Sequence, residues 1–234
     1  MRPDRPRGGA GGQSRKGVRG PDRGPSRGPA RAGSRLVYED ELILAYDKPA
    51  GLPVIAPDGS RAKCLLDIAS EQVRRRNPKG RAAVVHRIDR DTSGIVVFAR
   101  NAMAMRLLMS GWEEIVSERL YVALVEGSMG AAEGVLDSWL VEDERGFVRE
   151  AGPRERGAKR ALSNWRVVAE GGGRSLLEVR LDTGRKHQIR VQLAGAGHPV
   201  VGDPRYGRSG SSPRESGARE GGAREGGARE GGGR

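Results

Sequence analysis

Two carboxylates and three candidate cations stand within nine residues in the segment His86-Arg87-Ile88-Asp89-Arg90-Asp91-Thr92-Ser93-Gly94. An ionised carboxylate can attack a carbon covalently or remove a proton, and a pair of carboxylates can divide acid and base work. The run Ile95-Val96-Val97-Phe98-Ala99 follows at once and reads as a buried strand. The charged segment is therefore held against the core, and loops fixed by rigid elements are where function concentrates. A second concentration of charge, Thr183-Gly184-Arg185-Lys186-His187-Gln188-Ile189-Arg190, follows the apolar run from Leu176 to Leu181. With Thr183 as a helix N-cap and Ile189 and Leu193 as an i, i+4 apolar pair, Lys186, His187 and Arg190 fall on another face, near the positive helix end. A strand leading into such a helix start suits a phosphate or a carboxylate.

Other chemistries fit these residues less well. Asp91 suits a turn or cap through Asp-Thr-Ser-Gly better than the role of a second acid. Ser93 lacks the G-x-S-x-G flanks of a hydrolase nucleophile. His86, His187, His198 and the single Cys64 lack the spacing of metal ligands, so no metal is expected.

The elements that must position the two segments can be read from periodicity. Glu41 to Lys48 is a first strand, stopped by Pro49 and Gly51. Lys63 to Arg76 has helical spacing with an Arg-rich end. Asn101 caps a helix running to about Ser117, with Met105, Leu108, Met109, Trp112 and Ile115 as a core-packing side. Arg119 to Glu126, Gly134 to Leu140, Arg160 to Glu170 and Ser175 to Leu181 are strands separated by Gly-containing turns, while Arg145 to Arg156 reads as an exposed loop. Consecutive strands with few helices predict an α+β fold with a mixed, largely antiparallel central sheet.

The ends of the 234-residue chain differ from its middle. Residues 1–35 carry ten Arg and Lys against two Asp, a charge of +8, with nine glycines. Residues 209–234 carry five Arg against four Glu, again with nine glycines, and repeat Gly-Ala-Arg-Glu at a five-residue period. Neither end has enough apolar side chain to offset the entropy of ordering, so both are expected to be disordered. One domain is expected over residues 36–208, with a charge of only +3. The basic arm suits non-specific phosphate contact, and a merely solubilising tail is the alternative. A lone cysteine fits a reducing compartment, no run reaches the roughly 18 apolar residues of a membrane span, and the N-terminus lacks the apolar stretch of a signal peptide. A cytoplasmic protein without membrane contact is expected.

Five segments in order carry a resemblance: Tyr38 to Leu52 (YEDELILAYDKPAGL), HRIDRDTSG, Arg119 to Gly127 (RLYVALVEG), TGRKHQIRVQLA and Gly197 to Gly207 (GHPVVGDPRYG). Together they resemble the RluA-like family of RNA pseudouridine synthases, across nearly all of residues 38–207. The resemblance implies the pseudouridine synthase fold, with a catalytic cleft across the sheet. It implies isomerisation of a uridine in ribosomal or transfer RNA to 5-ribosyluracil, without metal or organic cofactor. The essential aspartate of the H-R-x-D motif falls on Asp89. It either attacks C1′ or takes a proton from C2′, and the sequence leaves both routes open. Arg190 is the implied salt-bridge partner of Asp89, with Arg185 second.

By the same resemblance Arg87 fills the space left when the uridine flips out, and Tyr121 stacks on the uracil. Arg185, Lys186 and His187 join Arg87 as RNA-binding candidates, while Ile189 and Leu193 pack the helix. Gln192 stands where the family often has His, which puts a secondary contact in doubt. Some members of the wider family carry an S4-type domain ahead of the catalytic one; only about 35 low-complexity residues precede the first expected strand, so none is expected here. RNA is the expected partner, and the expected state is a monomer without an obligate protein partner. A catalytically silent RNA-binding or ribosome-assembly factor on the same fold is the alternative, and a glycosidase using Asp89 and Asp91 fits the motif order less well.

Overall fold

The structure, a computed structural model, describes residues 33–207. The two terminal stretches expected to be disordered lie almost wholly outside the described residues. Strand β1, Arg35–Glu39, starts one residue inside the first of them and precedes the expected first strand. It pairs antiparallel with β2, Ile43–Lys48, which pairs in turn with β4, Gly94–Ala99. The two-residue strand β3, Ala83–Val84, closes this four-stranded sheet along the far side of β4. Helix α1, Leu65–Arg74, covers it through Leu65, Ala69 and Val73, which join Leu44, Tyr46, Val96 and Phe98 in one core. The Tyr46 and Phe98 rings meet edge to face at 6.3 Å, the arrangement their quadrupoles favour.

The rest of the domain is a five-stranded antiparallel sheet in the order β5-β9-β8-β6-β7. Its strands are β5 (Leu120–Glu126), β6 (Glu133–Glu142), β7 (Val148–Ala151), β8 (Lys159–Gly171) and β9 (Arg174–Leu181). Every described strand pair is antiparallel, and the expected central sheet is built as these two sheets. Helix α4, Gln188–Gly195, packs on the second sheet through Val191 and Leu193. None of the described helices is long and apolar enough to cross a membrane.

Four expectations need correction. The segment 145–156 is not all loop: β7 lies inside it, paired antiparallel with β6 from Val148 opposite Glu142 to Ala151 opposite Trp139, with Val148 buried. The helix after Asn101 is two pieces, α2 (Ala102–Ser110) and α3 (Trp112–Ile115), divided at Gly111. Asn101 does cap it, accepting the Ala104 N–H at 2.8 Å. The Met-rich side is core only in part: Met105, Leu108 and Trp112 are half-buried beside the buried Ala104, while Met109 and Ile115 are more than half exposed. Finally, Thr183 is not an N-cap, because α4 begins only at Gln188 and its N-cap position is His187.

Candidate active site

The register of β2 against β4 sets Lys48 opposite Gly94, so the loop carrying Asp89 opens beside the end of β2. Lys48 is fully buried, and its Nζ donates to the carbonyls of Pro49 (3.0 Å), Leu52 (2.8 Å) and Arg90 (2.9 Å). All three ammonium donors are thereby used, which is what burial of a lysine demands. Burial pulls the Lys48 pKa down, and the negative charges of Asp91 and Asp89 oppose that shift. The Arg90 carbonyl also accepts the Gly51 N–H at 2.8 Å, and the Asp89 carbonyl accepts the Thr92 N–H at 3.2 Å. Gly94 ends the loop at φ +133, a conformation that only glycine adopts freely.

The flanking residues behave differently from one another. His86 is not a cation: burial and the nearby Arg119 charge push its pKa down to about 4. Its Nε2 accepts the Val97 N–H at 2.9 Å, beyond the end of short β3, and its ring lies 5.0 Å from Trp112. Asp91 sits in the turn closed by the Thr92 N–H on the Asp89 carbonyl, as expected, and makes an exposed ion pair with Arg90 at 3.2 Å. Arg87 is exposed at the rim.

The second segment is shaped by Gln188, which is buried with four bonds. Its Oε1 accepts from the Thr183 hydroxyl and the Arg185 N–H, both at 2.9 Å; its Nε2 donates to the Leu162 carbonyl and the Ser163 hydroxyl. Gln192, one turn on, donates to the Leu136 and Ala161 carbonyls and accepts from Ser163 at 2.6 Å. It is therefore a buried tie between α4 and strands β6 and β8, remote from any substrate contact. Lys186 leaves the site altogether: its Nζ bonds Glu142 at 2.5 Å and the Gly146 carbonyl at 3.1 Å, tying down the β6–β7 hairpin.

The two segments meet at Arg190. Its Nη1 donates to Asp89 Oδ2 at 2.8 Å, while Nε and Nη2 fork onto Asp203 at 2.6 and 3.0 Å. The guanidinium lies 5.0 Å over the Tyr206 ring. Burial disfavours the charge on Arg190, but the bonds to Asp203 and Asp89 outweigh it and raise its pKa above the usual arginine value. Burial likewise works against the Asp203 carboxylate, yet Arg190 and the backbone N–H groups of Tyr206 and Arg205 hold its pKa below normal. His187 completes the group, with Nδ1 on the Tyr206 hydroxyl at 2.8 Å and Nε2 at 3.9 Å from Asp89 Oδ1.

A cavity of about 370 Å³ opens over this group, lined by Arg87, Asp89, Tyr121, Arg185, His187 and Arg190 together with apolar side chains of β5 and α4. That volume is typical of a small-ligand site. Tyr121 projects from β5, and burial lifts its pKa, with Arg119 opposing and Asp89 adding, so the phenol keeps its proton at neutral pH. Arg185 lines the cavity and donates to the Arg160 carbonyl at 3.1 Å. Ile189, expected only to pack the helix, also lines it. Every expected site residue except Lys186 is thus brought to one cavity. Sequence reasoning missed Asp203, Tyr206 and Lys48 as parts of the site, although each lies inside a segment that carried the resemblance.

The family model described as RNA pseudouridylate synthase matches residues 42–195, which contain Asp89, Tyr121 and Arg190. The chain belongs to this family. An uncharacterised RNA pseudouridine synthase of Aquifex aeolicus is 36% identical over 190 residues, covering 77% of this chain and 58% of that protein. The ribosomal large subunit pseudouridine synthase D of Pseudomonas aeruginosa is 37% identical over 175 residues, covering 74% of this chain and 53% of its own. The chain therefore spans little more than half the length of these relatives. Among solved structures, human RNA pseudouridylate synthase domain containing 4 superposes with a TM-score of 0.62 at 24% identity, covering 74% of this chain and 69% of that one, a likeness of fold. The human domain containing 1 protein gives 0.60 at 25% identity, covering 76% and 71%.

Proposed function

We propose that this protein isomerises specific uridines in RNA to pseudouridine, with Asp89 as the reacting carboxylate. The observation that carries this reading is the Asp89 carboxylate held by Arg190 at the floor of a cavity walled by Tyr121. In the reaction the N1–C1′ bond breaks, the uracil turns, and C5 bonds to C1′; C5 loses a proton and N1 gains one. Attack on C1′ and proton removal from C2′ both require an ionised carboxylate, and the Arg190 guanidinium orients Asp89 through a charge-assisted hydrogen bond. A base cannot be reached inside a stack, and the exposed Arg87 at the rim suits the role of filling the vacated space. Tyr121 offers an aromatic face for the extruded uracil.

Ribosomal RNA is the substrate class we favour over transfer RNA, because several relatives are named for the large ribosomal subunit. The test uses RNA labelled with tritium at uridine C5 and isolated from cells lacking this gene. The purified protein should release tritium from ribosomal RNA, and mapping should locate the product at discrete uridines. Release from transfer RNA alone would reverse the substrate preference, and no release from either would remove the catalytic reading.

A further inference from the structure

Arg190 spends two of its three bonds on Asp203 and holds Asp89 by Oδ2 alone. A carboxylate held at one oxygen still rotates about its Cβ–Cγ bond, and the facing side of Oδ1 is occupied by His187 Nε2 at 3.9 Å. The protonation of that nitrogen follows from the other side of the ring. The Tyr206 oxygen accepts the buried Val148 N–H at 3.2 Å, so its own proton is free to donate to His187 Nδ1, 2.8 Å away. With Nδ1 an acceptor, the neutral ring carries its hydrogen on Nε2, aimed at Asp89. The opposite tautomer would set a lone pair against a carboxylate.

We propose that His187 is a positioning residue for Asp89: Tyr206 fixes its tautomer so that Nε2–H faces Oδ1 from 3.9 Å, beyond a hydrogen bond in the free protein, and takes up Oδ1 when the carboxylate turns in the substrate complex, while Arg190 holds Oδ2. Two further observations support it. His187 is the only described non-glycine residue with positive φ, at +55, a conformation histidine adopts at a cost and keeps where its surroundings impose it. Burial, joined by the charges of Arg190, Lys186 and Arg205, keeps the ring neutral against the pull of Asp89. The role differs from direct RNA contact, and it rests on Asp89 being the reacting carboxylate.

Two substitutions separate positioning from a merely structural part. Glutamine places an N–H donor at the same number of bonds from Cβ as His187 Nε2, but it tolerates positive φ poorly. Asparagine tolerates positive φ well, yet reaches only as far as Nδ1. Single-turnover tritium release from the C5-labelled RNA of gene-deleted cells should fall roughly ten- to a hundredfold in His187→Asn. Most of the rate should return in His187→Gln, with RNA affinity unchanged in both. Equal rates in the two variants, a faster His187→Asn than His187→Gln, or a loss confined to affinity would each overturn the proposal. Asp89→Ala run alongside distinguishes the underlying reading: its inactivity with a fast His187→Asn sinks only the role of His187, whereas its activity sinks both.

Discussion

Arg190 reaches Asp89 at 2.8 Å across 101 residues of sequence, and the same guanidinium grips Asp203 with two bonds. The pairing is a relay of position. Asp203, whose side chain is 2% exposed, fixes Arg190, and Arg190 fixes Asp89. Planar, forked recognition of this kind is a property of arginine that lysine does not share.

Removing the charge of Asp203 should therefore act on chemistry from a distance. Asp203→Asn leaves Arg190 without its buried counter-charge, at a cost of roughly 3 kcal/mol in stability. It should also lower the single-turnover rate with little change in RNA affinity. Urea unfolding and a rate-against-enzyme titration read the two effects separately. Arg190→Lys should reproduce the rate loss, since one ammonium cannot hold both carboxylates in place.

Lys48 tests whether the loop is held by its backbone. Lys48→Met keeps the length of the side chain and removes three part-buried hydrogen bonds, leaving the carbonyls of Pro49 and Leu52 without this donor. The expected loss is on the order of 3 kcal/mol, from three lost charge-assisted hydrogen bonds. Urea midpoints at neutral pH check it.

His86 gives the fold an acid-sensitive element. Its folded pKa of about 4 lies below the ordinary 6.5, so between those values the unfolded chain takes up a proton that the folded protein does not. The stability tied to His86 is complete above pH 6.5 and is lost as pH falls towards 4, by up to roughly 3 kcal/mol. His86→Gln retains an acceptor for the Val97 N–H without the titration. Its unfolding free energy should fall less steeply than that of the native protein between pH 6.5 and 4.5, and parallel curves would count against this assignment.

The basic arm is testable without disturbing the domain, provided the cut respects β1. Removing residues 1–32 deletes nine Arg and Lys but spares the strand that starts at Arg35. RNA affinity should fall, and the slope of log K against log salt should flatten by roughly 0.7 for each phosphate that the arm had neutralised. The single-turnover rate at saturating protein should stay the same. An unchanged slope would leave the arm without an RNA role.

How far the sequence could be read depended on whether a residue's partner was local. Asn101, the strands β5, β6, β8 and β9, and the helix α1 follow from periodicity and capping, which are properties of neighbouring residues. Asp89 with Arg190 was legible only through resemblance, because nothing near either residue names the other. Lys186 reads as an RNA-binding candidate until the fold brings Glu142 to it. Lys48 breaks the rule that lysines are exposed, since three carbonyls converge on it from two loops. Gly-Asp-Pro-Arg-Tyr-Gly carries part of the resemblance, but nothing local reveals that its Asp203 and Tyr206 brace the site. Strand β7 was hidden because its consecutive charged residues, Arg149 and Glu150, are both exposed and break the apolar alternation that marks a strand.

The central claim is that Asp89 performs the chemistry, and Asp89→Asn tests it most directly. Asparagine keeps the shape and leaves Arg190 paired with Asp203, but it provides neither a charge for attack nor a base. On RNA labelled at C5 and isolated from cells lacking the gene, the variant should bind with native affinity and release no tritium above background. Release at the native rate would contradict the account.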